Sequence, residues 1–249
     1  TGISNATQVS LGYNNSCALL SDSTVKCWGM NNGGNLGDGS TTNRSTPVVV
    51  SGINNATHIA SGFQHTCARL SDSTVKCWGR GSDGQLGEGS TTQRTTPVVV
   101  SGISNATHIA SGNNHTCARL SDSTVKCWGK GDSYQLGNGN SSNQNSPVAV
   151  TGINDALSIY AGSDYTCVLR NSGNNKCWGR ILGTARGDAS KQKTPIQVSG
   201  ISNVTQVSAG ISHSCARLSD STVKCWGSNS FGRLGDGSTT QRTTPVAVS

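Results

Sequence analysis

The sequence repeats itself with a period of about 50 residues, and this internal repeat limits the fold more than any other feature. The first cysteine of each repeat follows the previous one by 50, 50, 50 and 48 residues. The repeats occupy residues 1–50, 51–100, 101–150, 151–198 and 199–249. A period of this length is typical of propellers and related arrays, in which one supersecondary unit stacks on the next. We therefore predict one domain, residues 1–249, built from five units.

Each unit is predicted to contain four short β-strands. In the second repeat, Thr57–Ala60 has an alternating pattern and is the predicted first strand. The second and third strands, His65–Leu70 and Thr74–Trp78, follow as a hairpin. A fourth strand is expected at Pro97–Val100, with the proline at its start, because an edge strand tolerates a missing backbone N–H. A loop rich in Gly, Ser and Thr, residues 79–96, precedes it. No segment has the apolar period of a helix, so the predicted fold class is all-β, a β-propeller of five four-stranded blades.

The cysteine spacing defines the hairpin between the second and third strands. If Cys67 lies opposite Cys77, the turn is centred on Asp72 and its loop is Ser71–Ser73. A three-residue hairpin loop ends in a left-handed residue, which is most often glycine. The fourth repeat has Gly173 at this position, and the other four repeats have serine. The hairpin therefore needs a further source of stability.

The paired cysteines supply that stability as disulfides. Facing residues on antiparallel strands have Cα atoms about 4.5–5.5 Å apart, which is within disulfide range. Zinc binding is a rival interpretation, but the sequence has no Cys-x-x-Cys motif, and buried free thiols are the other alternative. Disulfides predict an oxidising compartment, so we expect a secreted, extracellular or cell-surface protein. The predicted pairs, one in each blade, are Cys17–Cys27, Cys67–Cys77, Cys117–Cys127, Cys167–Cys177 and Cys215–Cys225.

The net charge of +7 raises the question of a nucleic-acid partner. A nucleic-acid site needs a concentrated basic face with stacking aromatic residues. Here the cations recur in each repeat, and the five tryptophans lie one per repeat at a strand end, where blade packing accounts for them. We expect no nucleic-acid binding, and a weak attraction for anionic glycans fits the charge better. No membrane insertion is expected either, because the longest aliphatic run, Val48–Val50, is too short to span a bilayer.

No set of residues predicts catalysis, a metal site or a cofactor site. Histidines such as His65 recur from repeat to repeat without a partner nucleophile. Gly37-Asp38-Gly39 hints at calcium, but one aspartate per loop falls short of the about six to eight oxygen ligands that calcium takes. The residues that distinguish the divergent fourth repeat form no recognisable acid–base pair or triad: Tyr160, Asp164, Tyr165, Lys191 and Lys193. We expect a protein that is not an enzyme and that has no metal and no cofactor.

Asn-x-Ser/Thr sequons recur at one position of the repeat, in the segment that leads into the first strand. Sequons are common in a chain so rich in Asn, Ser and Thr, so the recurring position is more informative than their number. We expect these recurring asparagines to be the first glycosylation sites in a cell that glycosylates: Asn5, Asn55, Asn105 and Asn203.

Several spaced motifs recur in the same order along the chain. In the second repeat they are His65-Thr66-Cys67-Ala68, Val75-Lys76-Cys77-Trp78-Gly79, Gly84-Gln85-Leu86-Gly87 and Pro97-Val98. They resemble the repeat of the regulator-of-chromosome-condensation family over essentially all 249 residues. The fourth repeat departs from this pattern and keeps only part of it: Gly162, Cys167, Lys176-Cys177-Trp178-Gly179 and Thr194-Pro195.

This resemblance implies a β-propeller with one four-stranded blade per repeat, usually with seven blades. Known members include a nuclear exchange factor for a small GTPase and secreted bacterial inhibitors of β-lactamase, and the paired cysteines place this chain closer to the secreted members. Five repeats imply a small closed ring, part of a longer array, or an array that does not close. If the last strand, Pro245–Val248, completes the first blade, it seals the ring. If each fourth strand belongs to its own repeat, no exchanged strand joins the ends.

Near-identical repeats display near-identical surfaces, which favours multivalent binding or lattice contacts over a single chemical site. We therefore predict a non-enzymatic extracellular repeat protein that serves as a structural or interaction module and self-assembles through unsealed blade edges. Its partner is then another copy of the chain, or an extracellular protein or glycan. The alternative is a secreted monomeric propeller that binds or inhibits a protein through diversified rim loops. The loop Ser90–Thr96 returns unchanged at Ser238–Thr244, which favours the structural interpretation.

Overall fold

Each sequence repeat folds into one four-stranded sheet in a computed structural model of the chain. The structure describes residues 2–181 and 191–249. Every sheet is antiparallel, with its strands in the order of the sequence, and the described residues contain no helix. The predicted fold class, an all-β chain of five four-stranded blades, is confirmed.

The strands of the five blades are numbered in chain order. Blade 1 contains β1 (Ala6–Leu11), β2 (Asn15–Leu20), β3 (Val25–Gly29) and β4 (Arg44–Val49). Blade 2 contains β5 (Ala56–Ser61), β6 (His65–Leu70), β7 (Val75–Gly79) and β8 (Arg94–Val99). Blade 3 contains β9 (Ala106–Ser111), β10 (His115–Leu120), β11 (Val125–Gly129) and β12 (Gln144–Ala149). Blade 4 contains β13 (Ala156–Ala161), β14 (Tyr165–Arg170), β15 (Asn175–Arg180) and β16 (Lys191–Gln197). Blade 5 contains β17 (Val204–Ala209), β18 (His213–Leu218), β19 (Val223–Gly227) and β20 (Arg242–Ala247).

The outer strand of each blade begins earlier than the sequence indicates. In blade 2, β8 starts at Arg94, so Pro97 is its fourth residue rather than its first. The sheet tolerates Pro97 because β8 is its edge, and because the pairing with β7 shifts between Cys77 and Gly79, which leaves Pro97 in an irregular segment. Proline and this irregularity make the outer edge a poor template for a strand of another chain.

Each fourth strand lies in the blade of its own repeat, so β20 completes blade 5 and not blade 1. Successive first strands contact each other, from β1 through β5, β9 and β13 to β17. In the part of the chain that the structure describes, no hydrogen bond and no core cluster joins blade 5 to blade 1. The five blades therefore form an open array.

The described residues form four hydrophobic core clusters, one between each pair of neighbouring blades. In the first cluster, Val25, Leu36 and Val50 of blade 1 pack against Ile59 and Trp78 of blade 2. None of these five side chains is more than 1% exposed. Burial of apolar surface contributes about 25 cal/mol per Å² to folding. Because these side chains are buried between blades, each blade is stabilised mainly by contact with its neighbours.

The Gln-Leu-Gly motif of one blade packs against the tryptophan of the next blade and accepts a hydrogen bond from it. Gly87 has a φ of +69°, and a Cβ at this position would lie 2.7 Å from Nε1 of Trp128. Nε1 of Trp128 donates a hydrogen bond of 3.0 Å to the Gln85 carbonyl oxygen. Blade packing thus accounts for both the tryptophan and the glycine that ends the motif.

The hairpin between the second and third strands has the predicted geometry. Cys67 faces Cys77, and the Leu70 amide donates to the Thr74 carbonyl oxygen, which closes a three-residue loop. Ser73 is left-handed, with a φ of 65°. All ten cysteines form disulfides, one in each blade, with Cα atoms 4.1 Å apart, slightly closer than expected. These disulfides indicate an oxidising environment.

The left-handed turn residue allows a matched test of backbone strain. Replacing Ser73 with glycine should raise the free energy of unfolding by about 0.5–1 kcal/mol, because glycine adopts a positive φ without a steric cost. Replacing Gly173 with serine should lower it by a similar amount, because Gly173 has a φ of 73° at the same position of blade 4. Chemical denaturation with the disulfides intact measures both changes. Changes of the same sign in the two variants would contradict this explanation.

Candidate functional site

The loops of the blades form two rims, and one of them is nearly the same in every repeat. This constant rim consists of the turns between the second and third strands and the linkers into the first strands. In blade 2 the Ser71 amide donates to the Asn55 carbonyl oxygen, and the equivalent contact occurs in every blade. The turn reads Ser-Asp-Ser in four of the five repeats.

The opposite rim, which we call the axial rim, differs from one repeat to the next. It contains the loop between the first and second strands and the residue after the Cys-Trp-Gly motif, which a backbone hydrogen bond of 2.8 Å joins in every blade. The middle residue of this loop is different in all five blades: Tyr13, Phe63, Asn113, Ser163 and Ile211. The residue after the Cys-Trp-Gly motif also varies: Met30, Arg80, Lys130, Arg180 and Ser228.

The axial rim surrounds a funnel of about 440 Å³. Glycine and small residues from all five blades line its wall, and larger side chains stand at its mouth. The rings of Tyr13 and Phe63 have centroids 4.7 Å apart. Leu11, Tyr13 and Ile211 are 70%, 62% and 61% exposed. Exposed apolar side chains that are grouped in this way mark a contact surface.

Cations stand beside these apolar side chains. Arg80, Lys130 and Arg180 occupy the same position on three neighbouring blades. An Arg80 Nη1 donates to Oε1 of Gln64 over 3.4 Å, and Nζ of Lys130 lies 3.2 Å from the Asp132 carboxylate. The axial rim therefore combines an apolar mouth with a partly neutralised set of positive charges.

Two of the histidines that precede the first cysteine of a repeat, His65 and His115, form hydrogen bonds to the next blade. His65 and His115 are completely buried, and their Nε2 atoms lie 2.9 and 2.8 Å from the hydroxyls of Thr116 and Thr166. Burial lowers the pKa of His65 to about 4, so the ring is neutral at pH 7. These histidines act as hydrogen-bonding groups between blades.

The residues that distinguish the fourth repeat do not meet in one site. The buried Tyr165 donates from its hydroxyl to the His213 carbonyl oxygen over 2.7 Å, which holds blade 4 against blade 5. Nζ of Lys191 donates to the Asp132 carbonyl oxygen of blade 3 over 2.8 Å. The other three lie apart: Tyr160 bonds Ser158, Lys193 lies over the Tyr134 ring, and Asp164 is on the axial rim. Contacts between blades account for most of these residues.

The aspartates of the Gly-Asp-Gly loops bind arginine. The Asp38 carboxylate lies 2.8 Å from Arg44, and the Asp236 carboxylate lies 2.6 Å from Arg242. Hydrogen bonding from Arg242 lowers the pKa of Asp236 to about 2. Within residues 2–181 and 191–249, no group of three or more His, Cys, Asp or Glu side chains could hold a metal ion.

Two blade faces remain without a partner among the described residues. The head face, on blade 1, contains Ile3, Ala6, Val9 and Trp28 around a groove of about 340 Å³. Val9 is 57% exposed, whereas Ile59 at the same position of blade 2 is 1% exposed.

The tail face lies at the other end of the array, on blade 5. Val223 and Val248 of this face are 38% and 43% exposed. Val25 and Val50, at the same positions of blade 1, are 0% and 1% exposed because blade 2 covers them. The head and tail faces are therefore the two halves of an interblade contact.

The Asp236–Arg242 pair predicts a pH dependence of stability in acid. Because the pKa of Asp236 is depressed in the folded state, its carboxylate stabilises the fold above about pH 4, and this contribution is lost as the pH falls towards 2. The variant D236N should be less stable than the wild type at pH 7 and should lose this part of the acid dependence. Thermal unfolding between pH 2 and pH 7 measures both effects. An unchanged pH profile in D236N would be inconsistent with this role.

The comparisons with solved structures concern the fold. Human WBSCR16 superimposes with a TM-score of 0.88 at 22% identity, over 98% of this chain and 67% of that protein. Yeast RCC1 (Prp20), in its complex with Kap60, superimposes with a TM-score of 0.85 at 22% identity, over 98% and 61%. The CRINKLY WD40 ectodomain of the Arabidopsis thaliana receptor kinase ACR4 gives a TM-score of 0.54 at 22% identity, over 98% and 66%. The chain thus spans 61–67% of the length of these three structures.

Sequence comparison identifies the family. No curated protein matches the chain at a significant level. The RCC1-like domain matches residues 2–249, which is nearly the whole chain. This match confirms the resemblance that the recurring motifs indicate, and the protein belongs to the family of RCC1-like domains.

Proposed function

We propose that this protein is a non-enzymatic extracellular module that binds another protein through its axial rim. The observation that carries the proposal is that the axial rim has a different residue in every blade at one loop position, while the constant rim stays nearly uniform. The loop Ser90–Thr96, which returns unchanged at Ser238–Thr244 and favours a structural role, precedes and enters the outer strand β8.

Packing does not explain the variation at the axial rim. Tyr13 and Ile211 are more than half exposed, so the blade contacts do not dictate their identity. A protein that only stacks its repeats has no need for five different residues at one loop position. A partner that touches all five blades from the axis meets a different side chain on each one, and this gives specificity to a symmetric scaffold.

The chemistry of the axial rim defines the partner that it fits. The funnel of about 440 Å³ can take one large apolar side chain, with the rings of Tyr13 and Phe63 in tilted contact at its mouth. Arg80 and the net charge of +7 favour acidic groups next to that side chain. The expected partner is a protein loop with an aromatic or aliphatic residue at its tip, flanked by Asp or Glu.

Other observations support an extracellular binding module. RCC1-like propellers are common protein-interaction modules, and yeast Prp20p binds Gsp1p and histones. The structure describes no helix long and apolar enough to cross a membrane. The predicted glycosylation sites belong to the constant rim, so glycans there would leave the axial rim free: Asn5, Asn55, Asn105 and Asn203.

Selection of a random peptide library on the wild-type protein tests this proposal. The selected peptides should combine acidic residues with a large apolar residue. The double variant F63A/R80Q should weaken their binding by more than tenfold, because it removes both an aromatic contact and a charge from the axial rim. The matched control is D72N on the constant rim, which should change the affinity by less than twofold. Peptides that bind F63A/R80Q as tightly as the wild type would overturn the assignment of the axial rim.

Self-assembly is a second candidate function, which the head and tail faces favour. Inside the array, Val25 and Val50 of blade 1 cover the face of blade 2 that corresponds to the head face. The tail face has valines at the same positions, so the tail face of one copy can cover the head face of another. Such a heterologous contact builds an open filament when it does not close.

Sedimentation at increasing concentration measures this association. The wild type should form a series of larger species, and V9D and V248D should each remove them, because each places a charge in the apolar contact. The control is V99D, since Val99 is 56% exposed on the outer strand, away from both faces. A monomer at all concentrations would exclude self-assembly and leave the axial rim as the functional surface.

A further inference from the structure

The first strands line the axis of the propeller, and one of their positions joins neighbouring blades. In blade 1 this position is Gln8, whose Nε2 donates to the Ile59 carbonyl oxygen over 2.9 Å and whose Oε1 accepts from the Ile59 amide over 3.0 Å. In blades 2 and 3 the same position is His58 and His108. In the described part of the chain, neither histidine makes a hydrogen bond of this kind.

Four nitrogen-rich side chains meet at this position between blades 2 and 3. The rings of His58 and His108 have centroids 4.6 Å apart. Arg69 lies directly opposite His58 in the pairing of β5 with β6, and Arg119 lies opposite His108 in the pairing of β9 with β10. All four side chains are half-buried.

The charges in this cluster are not compensated. Burial first, and then the neighbouring His108 and Arg69, lower the pKa of His58 to about 4. The pKa of His108 is also lowered by burial first, and then by Arg119 and Arg69. Every charged neighbour that acts on the two imidazoles is thus basic, and Arg69 acts on both.

Hydrogen-bonding atoms in the cluster also lack partners. The Nδ1 atoms of His58 and His108 and the Nε atom of Arg69 are buried without a hydrogen bond in the described structure. Arg119 differs, because its Nε donates to the Ala156 carbonyl oxygen over 2.6 Å. Buried polar atoms without a hydrogen-bond partner are rare in proteins, and each such group calls for a water molecule or an ion. Among the described residues, no carboxylate acts on this cluster to balance its positive charge.

We propose that His58, His108 and Arg69 form a binding site for a small oxyanion, sulfate or phosphate, on the axis between blades 2 and 3. Arg69 provides the positive charge, and the neutral imidazoles donate N–H groups, so the anion supplies both the acceptors and the counter-charge that the cluster lacks. The site does not depend on the axial rim, because His58 is the third residue of β5 and β5 starts at the constant rim.

Titration of the full chain with inorganic sulfate, and separately with phosphate, tests the site. Sodium chloride keeps the ionic strength constant, and NMR signals of the histidine rings report binding. Saturable shifts of His58 and His108 are expected. The pKa of His58 should rise from about 4 when the anion is bound, because a negative charge favours the imidazolium.

Two variants separate this site from general attraction to a basic protein. R69Q should weaken anion binding by more than tenfold, and H58Q, which introduces the residue of blade 1, should do the same without loss of the fold. The matched control is R217Q, because Arg217 has the same position in blade 5, faces Gln206 and is exposed. R217Q removes the same charge and should change the affinity by less than twofold. Shifts that do not saturate with either anion, or equal losses in R69Q and R217Q, would overturn the proposal.

Discussion

The rest of the structure depends on apolar contact between the faces of adjacent blades. A four-stranded sheet of short strands cannot cover its own faces, and the disulfide in each blade ties only the central hairpin. Val25 and Leu36 of one blade are excluded from water only because Ile59 and Trp78 of the next blade cover them. Folding is therefore a property of the array and not of the single repeat.

This constraint divides the surface into parts with different freedom to vary. Residues that face a neighbouring blade recur because each must fit the same opposite face, as Gly87 must fit Trp128. The axial rim does not have to fit an opposite blade face, and there the repeats have five different residues at one loop position. The two terminal faces keep the apolar character of the interior contacts, although no neighbouring blade covers Val9 and Val248 in the described structure.

Much of the fold could be predicted because local rules determine it. The spacing of Cys67 and Cys77 specifies a hairpin register, and that register requires a left-handed residue at Ser73, which the structure has. The start of the outer strand was harder to predict, because proline at an edge is tolerated only in the irregular pairing that the assembled sheet adopts. The sequence suggested binding through rim loops, but it did not identify the residues of the axial rim, because they come from separate loops that only the folded array places on one surface. A position-by-position comparison of the five repeats could have found it.

The sequence by itself determined the blade: its four strands, its disulfide and its place in a repeating array, all of which follow from interactions within about 50 residues. Only the tertiary structure decided that each fourth strand stays in its own blade, that the array is open between blades 5 and 1, and that His58 and Arg69 lie with His108. The physical reason is the distance of these contacts along the chain. Both ways of placing the fourth strand satisfy the same local pattern, and the packing of whole blades selects between them.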